Sequence, residues 1–122
     1  MLRGISAIAA LLLLVAPARS EIATWYGYEN GPQTSSGERF DPAGFCADYP
    51  QHSCTCAHRD YAFGTYLKVR RLGRSVVCRV TDRGPNARTG ADIDLSQSGA
   101  RVLGITGIGR AHVSIIRVGP ME

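Results

Sequence analysis

Two short runs of alternating residues, "TYLKVRRLGRSVVCRVTD" between Thr65 and Asp82, constrain this chain most. Apolar and polar positions alternate with period two on either side of "LGR", which is the pattern of a β-hairpin with one face buried. On the second run the period places Val76, Cys78, Val80 and Asp82 on one face and Val77, Arg79 and Thr81 on the other. Cys78 and Asp82 are therefore expected to point the same way. Further strand patterns occur in "EIATWYGYE", in "ADIDL" and in "RAHVSIIRV" near the end. "SQSGARVLG" is expected to form about two helical turns, with Ser96 as N-cap and Gly104 as the stop. No period persists from Phe40 to Gly64, a long irregular stretch of the kind that is held by disulfides or used for function. Many short strands, one short helix and abundant glycine predict a small β-barrel.

The first twenty residues, "MLRGISAIAALLLLVAPARS", have the layout of a secretory leader: Arg3, an apolar run from Ile5 to Val15, then small residues at Ala18 and Ser20. The run is short for a membrane span, so residues 1–20 are expected to be removed and residues 21–122 to form one domain. No cysteine follows the expected cleavage point, so neither a lipid anchor nor any other stable membrane anchor is expected. The mature chain should be periplasmic or secreted, and a monomer. Losing Arg3 and Arg19 lowers the formal charge from +4 to +2, which weakens the case that the basic full-length pI makes for nucleic acid. Lys68, Arg70, Arg71, Arg74 and Arg79 do cluster, first as a solvated strand face and second as an attractor for an anionic polymer.

Cys46, Cys54, Cys56 and Cys78 form an even set in a chain marked for export, which favours two disulfides with three possible connectivities. A zinc site built from Cys46, His52, Cys54, Cys56 and His58 is the rival reading. It lacks a C-x-x-C pair, and no metal or other cofactor is expected. Vicinal C-x-C pairing is strained, so Cys54 and Cys56 should take different partners.

"VTDRGPNARTGADIDLS" concentrates Asp82, Asp92 and Asp94 in one stretch of turn residues. Taken alone, Asp82 reads as a turn aspartate capping its own backbone, Glu38 as an exposed loop charge, His58 as a structural histidine and Asp94 as a helix-capping group. Trp25 and Tyr26 must face opposite sides of their strand, one able to stack on a sugar ring and the other to pack in the core.

The segments "ATWYG", "SSGERFDP", "CAHRDYAFGT", "VVCRVTDRGP" and "DIDLSQSGARVLG" occur in the order of the RlpA-like double-psi β-barrel family, and the chain resembles that family over nearly all of residues 21–122. The resemblance implies a mainly β fold, a small six-stranded double-psi β-barrel with one or two short helices, similar to the first domain of expansins. It also implies a lytic transglycosylase, a glycan-cleaving lyase acting on peptidoglycan strands to leave 1,6-anhydromuramyl ends. On that resemblance the functional set is Asp82, Glu38 and His58. Thr24, Tyr26, Arg83 and Asp94 would line the polysaccharide groove, and Asp92 has no assigned counterpart.

The implied chemistry requires protonation of the leaving oxygen and support for oxocarbenium character at the anomeric carbon, so a carboxyl of elevated pKa is wanted beside a second polar group. Asp82 is the expected acid and then base, Glu38 the stabilising carboxylate, and His58 the tuning group. Cys56 stands two positions before His58 and Cys78 four before Asp82. Alongside the resemblance, a Cys56–Cys78 bridge would tie the two presenting strands, leaving Cys46 to Cys54. Neither the lipoprotein cysteine nor the SPOR domain of many septal relatives is expected, so targeting to the division site is not expected either, and the segment from Phe45 to Cys56 is lengthened, which bears on substrate choice. The alternative expectation is a non-catalytic, expansin-like module that binds or loosens wall polysaccharide.

Overall fold

The structure, a computed structural model, describes residues 20–27, 34–37 and 54–119. Six strands, β1 (Glu21–Tyr26), β2 (Cys54–His58), β3 (Tyr66–Arg71), β4 (Arg74–Asp82), β5 (Ile93–Ser96) and β6 (Ala111–Arg117), close into a barrel in the order β1-β5-β2-β4-β3-β6. β1 runs parallel to β5 and β2 parallel to β4, while the other four pairings are antiparallel. Closure leaves no unpaired edge, which suits a domain this small.

Alternation builds the core. Ala23, Cys54, Cys56, Leu67, Val69, Val76, Cys78, Val80, Ile93 and Leu95 project inward and are buried, and Trp25 packs against them from the open end of β1. Helix α1 (Gln97–Val102) closes one end of the barrel by burying Gly99 and Ala100. It is shorter than the two turns expected, and its N-cap Ser96 makes no side-chain capping bond. Its C-terminal carbonyls are met from outside: Arg71 donates to Leu103 O at 2.9 Å and Arg74 to Val102 O at 3.3 Å. Cationic donors at that end complement the helix dipole.

The predicted hairpin is β3–β4, and its turn is Leu72–Gly73 with both residues at positive φ, 48° and 78°. β2 is the strand that the sequence conceals. "CTCAH" is five residues long with one β-branched side chain, and its strand character comes from pairing with β4 and β5 rather than from propensity.

Cys56 and Cys78 form a disulfide with Cα atoms 5.7 Å apart, reaching diagonally across the ladder in which Cys78 is the register partner of Cys54. Cys54 is also disulfide-bonded, while Cys46 lies outside the described residues. Oxidation removes Cys54 and Cys56 as thiolates from the zinc alternative. The expected leader lies outside the described residues as well, and among the described residues no helix is long and apolar enough to cross a membrane.

Candidate functional site

Register assembles the site. Thr24 is the partner of Asp94 across β1–β5, Asp94 of Ala57 across β5–β2, and Ala57 of Asp82 across β2–β4. One row therefore crosses four strands on the outer wall of the barrel. Within it Thr24 Oγ1 donates to Asp94 Oδ1 at 3.0 Å.

A register shift brings Asp82 into that row. Cys56 pairs with Val80 but Ala57 pairs with Asp82, so β4 contributes an extra residue at Thr81. The irregularity corrects the strict alternation expected for β4: Asp82 leaves the inward series Val76, Cys78, Val80 and is part-exposed instead of sharing the face of Cys78. Bulges that re-aim a side chain are a recurrent device at barrel rims. The following Gly84 has φ 122°, a conformation that a side chain would strain, so the chain turns away immediately after the carboxylate.

One oxygen of that carboxylate is fully engaged. Asp82 Oδ1 accepts from the backbone N–H and the hydroxyl of Ser35, the former at 3.1 Å, and from Arg83 N at 2.8 Å. The capping of its own turn, expected for an isolated aspartate, is thus present but shares the oxygen with Ser35. Oδ2 has no hydrogen-bond partner among the described residues. The turn that carries Ser35 is fixed by Ser36 N donating to Thr81 O at 3.0 Å and Gly37 N to Thr34 O at 2.9 Å. Glu38 follows that turn in sequence and lies outside the described residues, as does His52.

Tyr26 is next to this row, 4% exposed and packed on Ala57. Its phenol adjoins the hydroxyls of Thr55 and Thr81 and feels both Asp94 and Asp82. Burial, opposed in part by Thr55 and reinforced by the two carboxylates, holds the phenol well above the ordinary tyrosine value, so it stays protonated. Trp25, one position earlier, faces the core side.

His58 belongs to a second cluster. It ends β2 with 6% of its surface exposed and lines a cavity of about 380 Å³ with Glu21, Arg59, Asp60, Tyr61 and Asp92. Its Nδ1 accepts from Asp60 N at 3.0 Å, and its ring meets Tyr61 edge-on with centroids 4.6 Å apart. Burial pushes the imidazole below the ordinary histidine value; Asp60 and Asp92 pull it up, and Arg59 and Arg83 oppose them. A neutral ring with Nδ1 as acceptor carries its proton on Nε2.

Arg83 is folded back from the row. It donates to His58 O at 3.1 Å and Tyr61 O at 2.9 Å and lies over the Phe63 ring at 3.8 Å. Asp92, left without a role by the sequence, is a clip: Oδ2 accepts from Ile22 N at 2.7 Å and Oδ1 faces Arg59 at 3.6 Å. Arg59 also donates to Pro85 O at 2.6 Å and Ala91 O at 2.8 Å, fastening the β4–β5 connector to the barrel. Sequence reasoning missed Ser35 as a carboxylate donor, although its place in "SSGE" was the available signal. The Thr81 irregularity has no signal in the sequence.

The family model described as "Lytic transglycolase" matches residues 19–115. A Nostoc protein named "Probable endolytic peptidoglycan transglycosylase RlpA" is 46% identical over 99 residues, covering 77% of this chain and 24% of the relative. A Synechocystis protein of the same name is 43% identical over 101 residues, with 79% and 28% coverage, so this chain spans about a quarter of the length of both. Among solved structures, an expansin of Clavibacter michiganensis superposes with TM-score 0.62 at 20% identity over 87% of this chain and 52% of that one. That likeness matches the closed six-stranded barrel, and together with the sequence match it shows that the chain belongs to the RlpA-like double-psi β-barrel family.

Proposed function

We propose that this chain is an exported, lytic transglycosylase-like domain that cleaves the glycan strands of peptidoglycan and leaves 1,6-anhydromuramyl ends. The observation that carries the reading is the asymmetry of Asp82: Oδ1 is anchored by three donors while Oδ2 has no partner among the described residues, on a row shared with Asp94 and Thr24. The names of the relatives support the substrate class.

In the proposed reaction the Asp82 carboxyl delivers a proton from Oδ2 to the glycosidic oxygen as the anomeric carbon–oxygen bond breaks. The sugar's own C6 hydroxyl then bonds to the anomeric carbon, and its proton passes to the Asp82 carboxylate, restoring the acid. No water enters the bond. Glu38 is assigned to the cationic transition state. Thr24 and Asp94 supply a fixed hydroxyl–carboxylate pair along the groove, and the buried Tyr26 packs beneath the row on Ala57 as a positioning residue. His58 is assigned a positioning role, because its ring faces the Asp92 cavity and its backbone oxygen is held by Arg83.

Purified sacculi, or glycan strands freed of peptides, are digested and the products weighed by mass spectrometry. Anhydromuramyl ends from the wild type, and none from Asp82→Asn with glycan binding retained, are the expected result. Reducing ends carrying oxygen-18 from labelled water would make the chain a hydrolase instead. A specific observation favours a second, expansin-like reading: the part-exposed Thr24–Asp94 pair can bind sugar hydroxyls with no reaction at all. Tight glycan binding by folded wild-type protein with no product of either kind would establish that reading.

A further inference from the structure

The cations and the carboxylates of this barrel are segregated. Residues 65–81 and 97–119 contain eight lysines and arginines and no aspartate or glutamate. The five described carboxylates are Glu21, Asp60, Asp82, Asp92 and Asp94, on β1, on β5, or at the ends of β2 and β4. Glu21 is in register with Val113 of β6 but lines the cavity at His58. Among the described residues, the wall made by β4, β3 and β6 therefore carries no acid short of Asp82 at the far end of β4.

Its cations differ in what they do. Arg71 and Arg74 each donate to a carbonyl behind α1, and Arg110 donates to Thr89 O at 2.6 Å. The side chains of Lys68, Arg70, Arg101 and Arg117 have no ion pair or hydrogen bond among the described residues. Arg70 stands at the centre of the wall, in register with Ser75 on one side and Ser114 on the other. It borders two recesses. One, of about 370 Å³, is lined by Arg70, Gly73, Arg74 and Ser75, and the other, of about 270 Å³, includes Arg71, His112 and Ser114. Lys68 is the next outward residue, between Val77 and the exposed Ile116.

We propose that this Arg70-centred wall binds the carboxylates of the peptides carried by peptidoglycan, separately from the groove that takes the glycan. The inference rests on the wall polymer being the substrate. Planar guanidinium groups flanked by serine hydroxyls match a carboxylate by paired, parallel hydrogen bonds, and a wall whose described charges are cationic attracts a polymer that presents many such groups. Two faces on one small barrel that grip different parts of the same polymer raise the effective concentration of each for its target. The groove then needs only modest affinity of its own, and a strand bare of peptides can be cut beside a peptide-bearing strand that holds the enzyme.

Co-sedimentation at low salt tests this with the full mature chain, Arg70→Gln, Lys68→Gln and Arg70→Lys. Four sorbents are compared: intact sacculi, sacculi whose carboxyls have been amidated with methylamine, immobilised peptide-free glycan strands whose lactyl carboxyls have been amidated in the same way, and phosphatidylglycerol vesicles. Arg70→Gln is expected to lose about tenfold in affinity for intact sacculi and Lys68→Gln about threefold, with Arg70→Lys between wild type and Arg70→Gln. Amidation should bring all four proteins to one weak value, and peptide-free glycan should not distinguish them. Circular dichroism confirms folding of the variants at the exposed Arg70 and the half-buried Lys68. Equal binding of wild type and Arg70→Gln to intact sacculi would overturn the proposal, as would a loss that survives amidation. So would a loss seen only on the phosphatidylglycerol vesicles, which would make phosphate the ligand. Cleavage of peptide-free glycan is scored in the same samples. Its absence with carboxylate binding intact would remove the proposed activity and leave the binding wall standing.

Discussion

Thr24 and Asp94 are Cα partners in the parallel β1–β5 ladder, and the threonine hydroxyl donates to the carboxylate across 3.0 Å. Because Asp94 is also the partner of Ala57, and Ala57 of Asp82, that bond fixes one end of the row whose other end is the proposed acid. Thr24→Val keeps the shape and β-branching of the strand while removing the donor. It should cost about 1 kcal/mol of stability and slow release of anhydromuramyl ends from peptide-free glycan by about tenfold, with Thr24→Ser restoring most of both. Chemical denaturation and product mass spectrometry on the three proteins check it. A rate unchanged in Thr24→Val would remove Asp94 from the groove.

His58 gives the pH dependence a sign. Its folded-state pKa lies below the unfolded value of 6.5, chiefly through burial, so the neutral ring is favoured by folding. The corresponding stability is fully present above pH 6.5 and is lost as pH falls through 6.5 toward the lower folded pKa, where the unfolded chain binds the extra proton. His58→Gln keeps an acceptor for Asp60 N but cannot titrate. Its melting temperature should therefore fall less than that of the wild type between pH 7.5 and pH 5. Parallel acid slopes for the two proteins would place the titrating group elsewhere.

β1, the β3–β4 hairpin, β5, α1 and β6 were legible in the sequence because each carries alternation, β-branched and aromatic content, or a helical segment bounded by Ser96 and Gly104. β2 was hidden, since a five-residue strand with two cysteines, a histidine and one threonine has little propensity and is defined by its neighbours on both sides. Asp82 was identified by its motif, while its direction depends on the Thr81 irregularity, which exists only once β2 and β4 pair. Arg83 shows the same limit: its charge suggested a ligand contact, but the His58 and Tyr61 carbonyls and the Phe63 ring take up its guanidinium. Asp92 was legible as an acid and not as a clip, because its partners Ile22 and Arg59 are distant in sequence.

The Cys56–Cys78 bridge joins β2 to β4 below the row, with both residues fully buried and 22 positions apart. Closing a loop of that length restricts the unfolded chain by about 3 kcal/mol. The paired variant Cys56→Ala/Cys78→Ala should lose at least that much in urea titration, since alanine at both sites also leaves small voids. Because the bridge holds β2 and β4 in register, the variant should also lose glycan cleavage at temperatures where it remains folded. Full cleavage by a folded double variant would show that backbone pairing alone positions Asp82.

Leu72 occupies the first turn position of the β3–β4 hairpin at φ 48° and is 83% exposed. With Gly73 at φ 78° the pair forms a two-residue turn that favours asparagine followed by glycine. A leucine there is strained by its β-carbon and gains almost nothing by burial, whereas asparagine tolerates the left-handed region. Leu72→Asn should therefore stabilise the domain by about 1 kcal/mol and raise its melting temperature by about 4–8 °C. Leu72→Ala retains the β-carbon and should give no comparable gain, which separates relief of backbone strain from removal of an exposed apolar group. Calorimetry on the three proteins decides it: a rise in both variants would assign the effect to the lost apolar surface, and a rise in neither would mean that leucine's strain is relieved elsewhere in the hairpin.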